Sequence, residues 1–106
     1  MNNYQLPLDV ERTIADLCLG YTRRRNALLD VERLCPATAA EFMRVNNAID
    51  AALNEECEDG IRQTMLEDLA VRRGHRTSPL YAISPNTYKA RKMRTKYNIA
   101  RRLSLI

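Results

Sequence analysis

The sequence predicts an all-α fold in a single domain of 106 residues, with a long antiparallel helical hairpin at 8–55 and a helix-turn-helix-like unit at 59–106. Apolar residues recur along most of the chain at spacings of three and four, the period of a helix with one buried face. The chain has only three glycines and four prolines, which leaves few places for a many-stranded sheet to turn. A strong helix start signal near residue 84 divides off a C-terminal helix.

The first predicted helix is long and continuous. Pro7 and Asp9 suit its start, because proline cannot continue a preceding helix and an acid in the first turn complements the positive helix end. Pro36 is expected to end it, after about seven turns. Arg24 interrupts its apolar series. That series consists of Val10, Ile14, Leu17, Tyr21, Leu28, Val31 and Cys35.

The second predicted helix begins with a capping box. Thr38 and Glu41 have the spacing at which a threonine oxygen and a glutamate carboxylate satisfy free backbone donors at a helix start. The turn at 35–37 is expected to fold this helix back antiparallel along the first. Its apolar stripe is Phe42, Val45, Ile49, Ala52 and Leu53.

Two further helices are expected. Asp59 or Gly60 starts a third that carries Ile61, Met65, Leu66, Leu69 and Ala70, and Gly74 stops it. Residues 75–83 are expected to form a loop with a short helix at 80–83. Ser84 and Pro85 then combine a capping serine with proline at the first helical position, and this last helix runs to about Leu103. It has two apolar stripes: Ala90, Met93, Tyr97 and Ala100, and Tyr88, Ile99 and Leu103.

Residues suited to enzyme chemistry are scarce. Cys18, Cys35 and Cys57 are widely spaced and are expected to be small buried hydrophobes in a reducing compartment. His75 is the only histidine, and neither a zinc site nor a catalytic triad can be built around it. We therefore expect no enzyme activity, no metal and no cofactor. The first residues lack the pattern of a signal peptide and no apolar run is long enough to span a membrane, so we expect a soluble cytoplasmic protein without a membrane partner.

Charge is divided sharply along the chain. Residues 1–68 hold all 13 acids and seven arginines, a net charge of −6, whereas residues 69–106 hold ten cations and no acid; together they give the net charge of +4. An acidic body beside a one-signed basic tail is typical of proteins that bind nucleic acid or an anionic membrane. The two apolar stripes of the last helix favour packing against the body over lying on a lipid surface.

The last helix has the position of a recognition helix, which enters the major groove of double-stranded DNA with its N-terminus first. In residues 84–96, Asn86 is expected to pair with adenine, Thr87 to touch a thymine methyl, and Lys89 or Arg91 to contact guanine or phosphate. The predicted DNA-binding residues are Ser84, Asn86, Thr87, Lys89, Arg91, Lys92, Arg94, Lys96 and Arg76. The Arg23-Arg24-Arg25 run is better explained as a solvated or intramolecular group.

Several motifs resemble a known family. Ser84-Pro85-Asn86-Thr87-Tyr88-Lys89 and Ile99-Ala100-Arg101-Arg102-Leu103-Ser104-Leu105-Ile106 are similar to the C-terminal half of ArpU/RinA-like phage transcriptional regulators. Tyr4-Gln5-Leu6-Pro7, Tyr21-Thr22-Arg23-Arg24 and the segment 41–50 extend the resemblance over nearly the whole chain.

The resemblance implies a fold similar to the promoter-reading fourth region of sigma factors. It also implies control of late phage genes, with RNA polymerase as a further partner. The family closes with Leu-Gly-Leu, where this chain has Leu103-Ser104-Leu105.

Three alternatives share the basic tail. The first is a phage packaging or assembly protein that oligomerises through the hairpin and holds nucleic acid without reading its sequence. In a regulator, by contrast, the hairpin would serve as scaffold or dimer interface. The second is an RNA-binding or ribosome-associated protein. The third is a solvated basic surface without a partner.

Overall fold

The computed structural model describes residues 4–71 and 84–106, and all regular structure in these two ranges is helical, which confirms the predicted all-α class. Four α-helices precede residue 71, and a short 3₁₀ turn lies at Val31–Arg33. The fifth α-helix follows residue 84. The helices are α1 Leu8–Leu19, α2 Tyr21–Leu28, α3 Pro36–Glu56, α4 Asp59–Leu69 and α5 Pro85–Arg102.

Helix α5 is central to the core, because it contacts α1, α3 and α4. The side chains of Ile14, Ile49, Met65 and Ile99 come from these four helices, and each is fully buried. One apolar cluster therefore joins the basic C-terminal helix to the acidic body.

The continuous helix predicted from Val10 to Cys35 is wrong, because the chain breaks at Gly20 between α1 and α2. Gly20 has φ −85° and ψ 0°, outside the α-helical region, and glycine is among the poorest helix formers. A side chain at this position would put its Cβ 2.6 Å from Nη1 of Arg24. The absence of a side chain at Gly20 thus leaves room for the buried Arg24 side chain.

Arg24 is only 4 % exposed, so the residue that interrupts the apolar series is itself part of the interior. Its Nε donates to Oδ1 of Asn46 at 2.7 Å, and its Nη2 donates to the Leu17 carbonyl at the end of α1. Burial lowers the pKa of Arg24, and the nearby Arg23 lowers it further. In the described ranges no carboxylate lies within salt-bridge distance of Arg24, so neutral oxygens compensate its charge.

The same network ties α2 to α3. Asn46 donates to the Tyr21 carbonyl at 3.1 Å, and the Tyr21 hydroxyl donates to the Asp50 carboxylate at 2.6 Å. Burial, with the Asp50 contact, raises the pKa of Tyr21 to about 12. These pairs run in opposite directions along the two helices, so α2 and α3 are antiparallel. Helix α1 instead packs mainly against α4 and α5. The antiparallel packing that was predicted for residues 8–55 is therefore formed by α2 with α3 and does not include α1.

The predicted start of the second long helix is also wrong. Pro36 does not end a helix but occupies the first position of α3, where its fixed φ is favourable and its missing N–H costs nothing. Thr38 and Glu41 consequently lie inside the helix and form no capping box; Glu41 instead pairs with Arg44 at 2.6 Å. The predicted stripe is buried from Val45 to Leu53, with Phe42 half-buried.

Moving this boundary changes the environment of one thiol. Cys18 and Cys57 are buried as predicted, but Cys35 is exposed at the N-cap position just before α3. The backbone N–H groups of Ala37 and Thr38 lower the pKa of the Cys35 thiol, whereas burial raises the pKa of Cys18 to about 12 and also raises that of Cys57.

We expect iodoacetamide to modify Cys35 in the folded protein well before the other two thiols, since the thiolate is the reacting form and needs access to the reagent. Mass spectrometry should find a single adduct under native conditions and three after unfolding. Cys35→Ser should abolish the native adduct. Equal labelling of Cys18 and Cys35 in the native protein would contradict this placement of the thiols.

The remaining boundaries agree with the sequence. Helix α4 begins at Asp59 and buries Ile61, Met65, Leu66 and Leu69. The predicted stop at Gly74 and the loop with a short helix at 75–83 lie outside the described residues. Ser84 caps α5, because its Oγ accepts from the Thr87 N–H at 3.2 Å. Of the two apolar stripes predicted for α5, the one with Tyr88, Ile99 and Leu103 is buried, whereas Ala90 of the other is exposed.

Helix α5 ends in a left-handed turn at Ser104, whose φ is 57°. The Leu105 N–H donates to the Ala100 carbonyl at 2.8 Å and the Ser104 N–H to the Arg101 carbonyl at 3.1 Å, which together form a Schellman motif. Glycine is the usual residue at this position, because it alone adopts a positive φ without steric cost. Ser104 therefore occupies a strained backbone site that stops the helix and turns Leu105 back toward the core.

Candidate functional site

The first turn of α5 presents four of the predicted DNA-binding residues together. Ser84, Asn86, Thr87 and Lys89 are all exposed. Ser84 and Thr87 also bond to each other through their hydroxyls at 2.9 Å, which orders the start of the helix. Polar and cationic groups are thus grouped at the positive end of a helix, where anions are favoured.

Tyr88 anchors this turn to the body. It is 5 % exposed, and its hydroxyl donates to Oδ2 of Asp68, a carboxylate that is 1 % exposed at the end of α4. Burial raises the pKa of Tyr88, and the hydrogen bond and charge of Asp68 raise it further. The exposed turn is therefore positioned by a buried contact directly beneath it.

Much of the basic helix is engaged with the acidic body. Arg91 and Arg94 lie 3.3 Å from carboxylate oxygens of Glu58 and Glu56, respectively. Lys96 pairs with Glu11 of α1 at 3.1 Å, and Arg102 pairs with Glu55. Three predicted phosphate contacts, Arg91, Arg94 and Lys96, thus already have carboxylate partners within the chain. Such partly exposed pairs typically contribute about 0–1 kcal/mol each, so a phosphate can compete for these cations.

Lys92 departs from the prediction that it contacts phosphate at the surface. It is 7 % exposed and lies on the packed stripe of α5, four residues after Tyr88 and three before the fully buried Thr95. Burial lowers its pKa, and the positive charge of Lys96 lowers it further. An ammonium in this place is not presented to a duplex. Arg76, the last of the predicted contacts, lies outside the described residues.

A groove, the α1–α5 groove, runs between α1 and the first half of α5. It has a volume of about 420 Å³ and is lined by Arg12, Lys89, Lys92, Lys96 and the acid Glu11. Its apolar lining is Leu8, Ala15, Leu69, Val71 and Met93.

The structure thus brings Lys89, Lys92 and Lys96 together with Arg12, which sequence reasoning did not single out. Only the packing of α1 on α5 makes these two distant segments neighbours. The i, i+3 and i+7 spacing of the lysines was visible in the sequence, but the partner face was not.

Comparisons with known proteins give no identification: the chain matches no family model, no curated protein and no solved structure. The resemblance to ArpU/RinA-like regulators therefore stays a prediction. Among the residues that the structure describes, no helix has the length and apolar character needed to cross a lipid bilayer.

Proposed function

We propose that the protein is a non-enzymatic, sequence-specific regulator of transcription that binds double-stranded DNA through the first turn of α5. The observation that supports this most is the exposed group formed by Asn86, Thr87 and Lys89, held in place by the buried contact between Tyr88 and Asp68. No acid follows Asp68 in the sequence, so no carboxylate of α5 itself opposes a phosphate there.

The arrangement suits a recognition helix. With α4 as the preceding helix among the described residues, the N-terminus of α5 enters the major groove and its first turn meets the base edges. Asn86 then offers a bidentate pair to adenine, Thr87 a methyl contact to thymine, and Lys89 a donor to guanine or phosphate. Arg91 and Arg94 supply phosphate contacts by exchanging their glutamate partners, which makes binding sensitive to salt.

The end of α5 is compatible with the family resemblance. ArpU/RinA-like proteins close with Leu-Gly-Leu, and the corresponding residue here, Ser104, has the left-handed backbone that glycine adopts most readily. We therefore propose in particular a phage or prophage regulator that is similar to region four of sigma factors. Such a regulator would act beside RNA polymerase.

The test is fluorescence anisotropy with labelled fragments from the surrounding genome and with scrambled duplexes, at several salt concentrations. We expect a preference of at least about a thousandfold for one fragment. Asn86→Ala should reduce this preference, with a loss of about 1–3 kcal/mol in the discrimination between the correct and an incorrect base at one base pair. Lys89→Ala should weaken specific and non-specific binding alike and reduce the salt slope by about one unit.

Arg101→Ala is the matched control, because Arg101 is also an exposed cation of α5 but lies about 18 Å further along the helix axis. It should leave the preference and nearly all of the affinity intact. Equal losses in Lys89→Ala and Arg101→Ala would show that only total charge matters, and the proposal that the first turn reads DNA would be rejected.

A packaging or assembly role remains the second candidate, favoured by exposed apolar residues at the α2–α3 connection. Leu29 is 83 % exposed and Val31 is 47 % exposed, and Met43 on α3 is 49 % exposed. Single apolar residues are common on surfaces, so this set carries less weight than the first turn of α5. Light scattering separates the two: a ring or larger assembly fits packaging, whereas a monomer or a dimer fits a promoter-binding protein.

A further inference from the structure

The α1–α5 groove brings cations of α1 and α5 together beside the proposed DNA contact, with which it shares Lys89. Four cations of the described ranges line the groove, and they come from two helices that are distant in sequence: Arg12, Lys89, Lys92 and Lys96. Lys92 reaches the groove from a buried position, whereas Arg12 and Lys89 are exposed on opposite walls. A ligand in the groove would thus be approached by cations from both sides.

The nearby acids do not balance these cations. Glu11 is the one acid among the described lining residues, and its carboxylate already pairs with Lys96 at 3.1 Å. Asp68 acts on Lys92 from the interior but also accepts the Tyr88 hydroxyl. Among the residues that the structure describes, the four lining cations and the carboxylates of Glu11 and Asp68 sum to a charge of +2.

The remaining lining is apolar. Leu8, Leu69 and Met93 contribute side chains to the groove, and Leu8 is 61 % exposed although it is large and hydrophobic. The volume of about 420 Å³ lies within the range of small-molecule sites. The groove therefore combines room for an apolar group with cations placed around it.

We propose that the α1–α5 groove binds a phosphate monoester that carries an apolar body, with Arg12 and Lys89 contacting the phosphate from the two walls. A phosphate monoester has a charge of about −1.5 to −2 at pH 7, which matches the local excess better than a carboxylate does. Lysine is a suitable phosphate ligand because its compact charge can reach any of the oxygens. Burial is the main cause of the lowered pKa of Lys92, and the positive charge of Lys96 lowers it further.

This inference does not rest on the DNA-binding proposal, although the two share Lys89. If both hold, a ligand in the groove neutralises Lys89 beside the first turn of α5 and weakens DNA binding. The groove can therefore be tested without DNA, and its failure would leave the proposed DNA contact untouched.

The experiment is isothermal titration of the full chain with phenyl phosphate, with inorganic phosphate and benzoate as comparison ligands. We expect phenyl phosphate to bind at least about tenfold more tightly than either, since only it combines a dianion with an apolar ring, and tenfold corresponds to about 1.4 kcal/mol. Arg12→Gln and Lys89→Gln should each weaken it by about tenfold, the effect of losing one hydrogen bond to a charged group.

Arg101→Gln is the control with the same loss of charge and should bind phenyl phosphate unchanged. All three substituted residues are exposed, so far-UV circular dichroism should show an intact helical fold in each variant. Failure of phenyl phosphate to bind the unmodified chain would overturn the proposal. Equal affinity for inorganic phosphate would also overturn it, because the apolar part of the ligand would then contribute nothing to binding. Equal losses of affinity in Arg101→Gln and Lys89→Gln would overturn it as well.

Discussion

Arg24→Ala is expected to lower the free energy of unfolding by about 3 kcal/mol, as is typical when a buried polar network loses one member. The substitution leaves Oδ1 of Asn46 and the Leu17 carbonyl without their guanidinium donor. It also removes a long aliphatic stem from a site that is 96 % shielded from solvent, given that only 4 % of the residue is exposed. Urea denaturation followed by circular dichroism measures the change.

Arg33→Ala provides the matched control. Arg33 is also an arginine of the α2–α3 region, but its side chain is 85 % exposed and pairs only with Asp30 at the surface. Its loss should change stability by no more than about 0.5 kcal/mol. Should Arg24→Ala prove as mild as Arg33→Ala, the guanidinium must be hydrated in solution, and its burial beside Gly20 would be rejected.

Asp68→Ala is expected to destabilise the fold by a comparable amount, about 3 kcal/mol, because its carboxylate is buried between a hydroxyl and a cation. The Tyr88 hydroxyl loses this acceptor and Lys92 loses a neighbouring negative charge. Tyr88→Phe should cost less, about 1–2 kcal/mol, since it removes only one hydrogen bond.

A double-mutant cycle tests the pair directly. The combined variant Asp68→Ala/Tyr88→Phe should be less destabilised than the two single changes predict together, by about 1–2 kcal/mol, because the same bond is removed in both. Strict additivity would mean that the contact contributes nothing and that the first turn of α5 is held by packing alone. Asp59→Ala, a change to an exposed acid at the other end of α4, should be nearly neutral.

The regular parts of the fold were predictable because they depend on local signals. Ser84 with Pro85 marked the start of α5 through a cap, and the acid Asp59 marked the first turn of α4, since both signals involve only residues that are neighbours in sequence. The interruptions were not predictable in the same way. A three-four spacing passes unbroken through Gly20, and the packing of the Arg24 side chain against Gly20 and Asn46 depends on the folded structure.

The sequence predicted which residue types form the candidate site, but not which of their side chains are exposed and unpaired with glutamates. The sequence identifies Asn86, Thr87 and Lys89 as polar residues at a helix start, and the structure leaves them exposed. The position of Lys92 four residues after Tyr88 places it on the packed stripe, but its charge favours the surface, and only the structure shows that it is buried. The glutamate partners of Arg91 and Arg94 depend on helix packing between segments more than thirty residues apart.

The long reach of these ion pairs has a consequence for how the chain folds during synthesis. Glu11 and Lys96 are separated by 85 residues. At a translation rate of roughly 5–20 residues per second, Lys96 is therefore synthesised on the order of 10 s after Glu11. Until α5 is made, the surfaces of α1 and α3 that it will cover stay open to water or to chaperones. Among the described helices, the one that we propose to read DNA is thus the last to be synthesised, and its first turn takes its place only when α5 packs on the other helices.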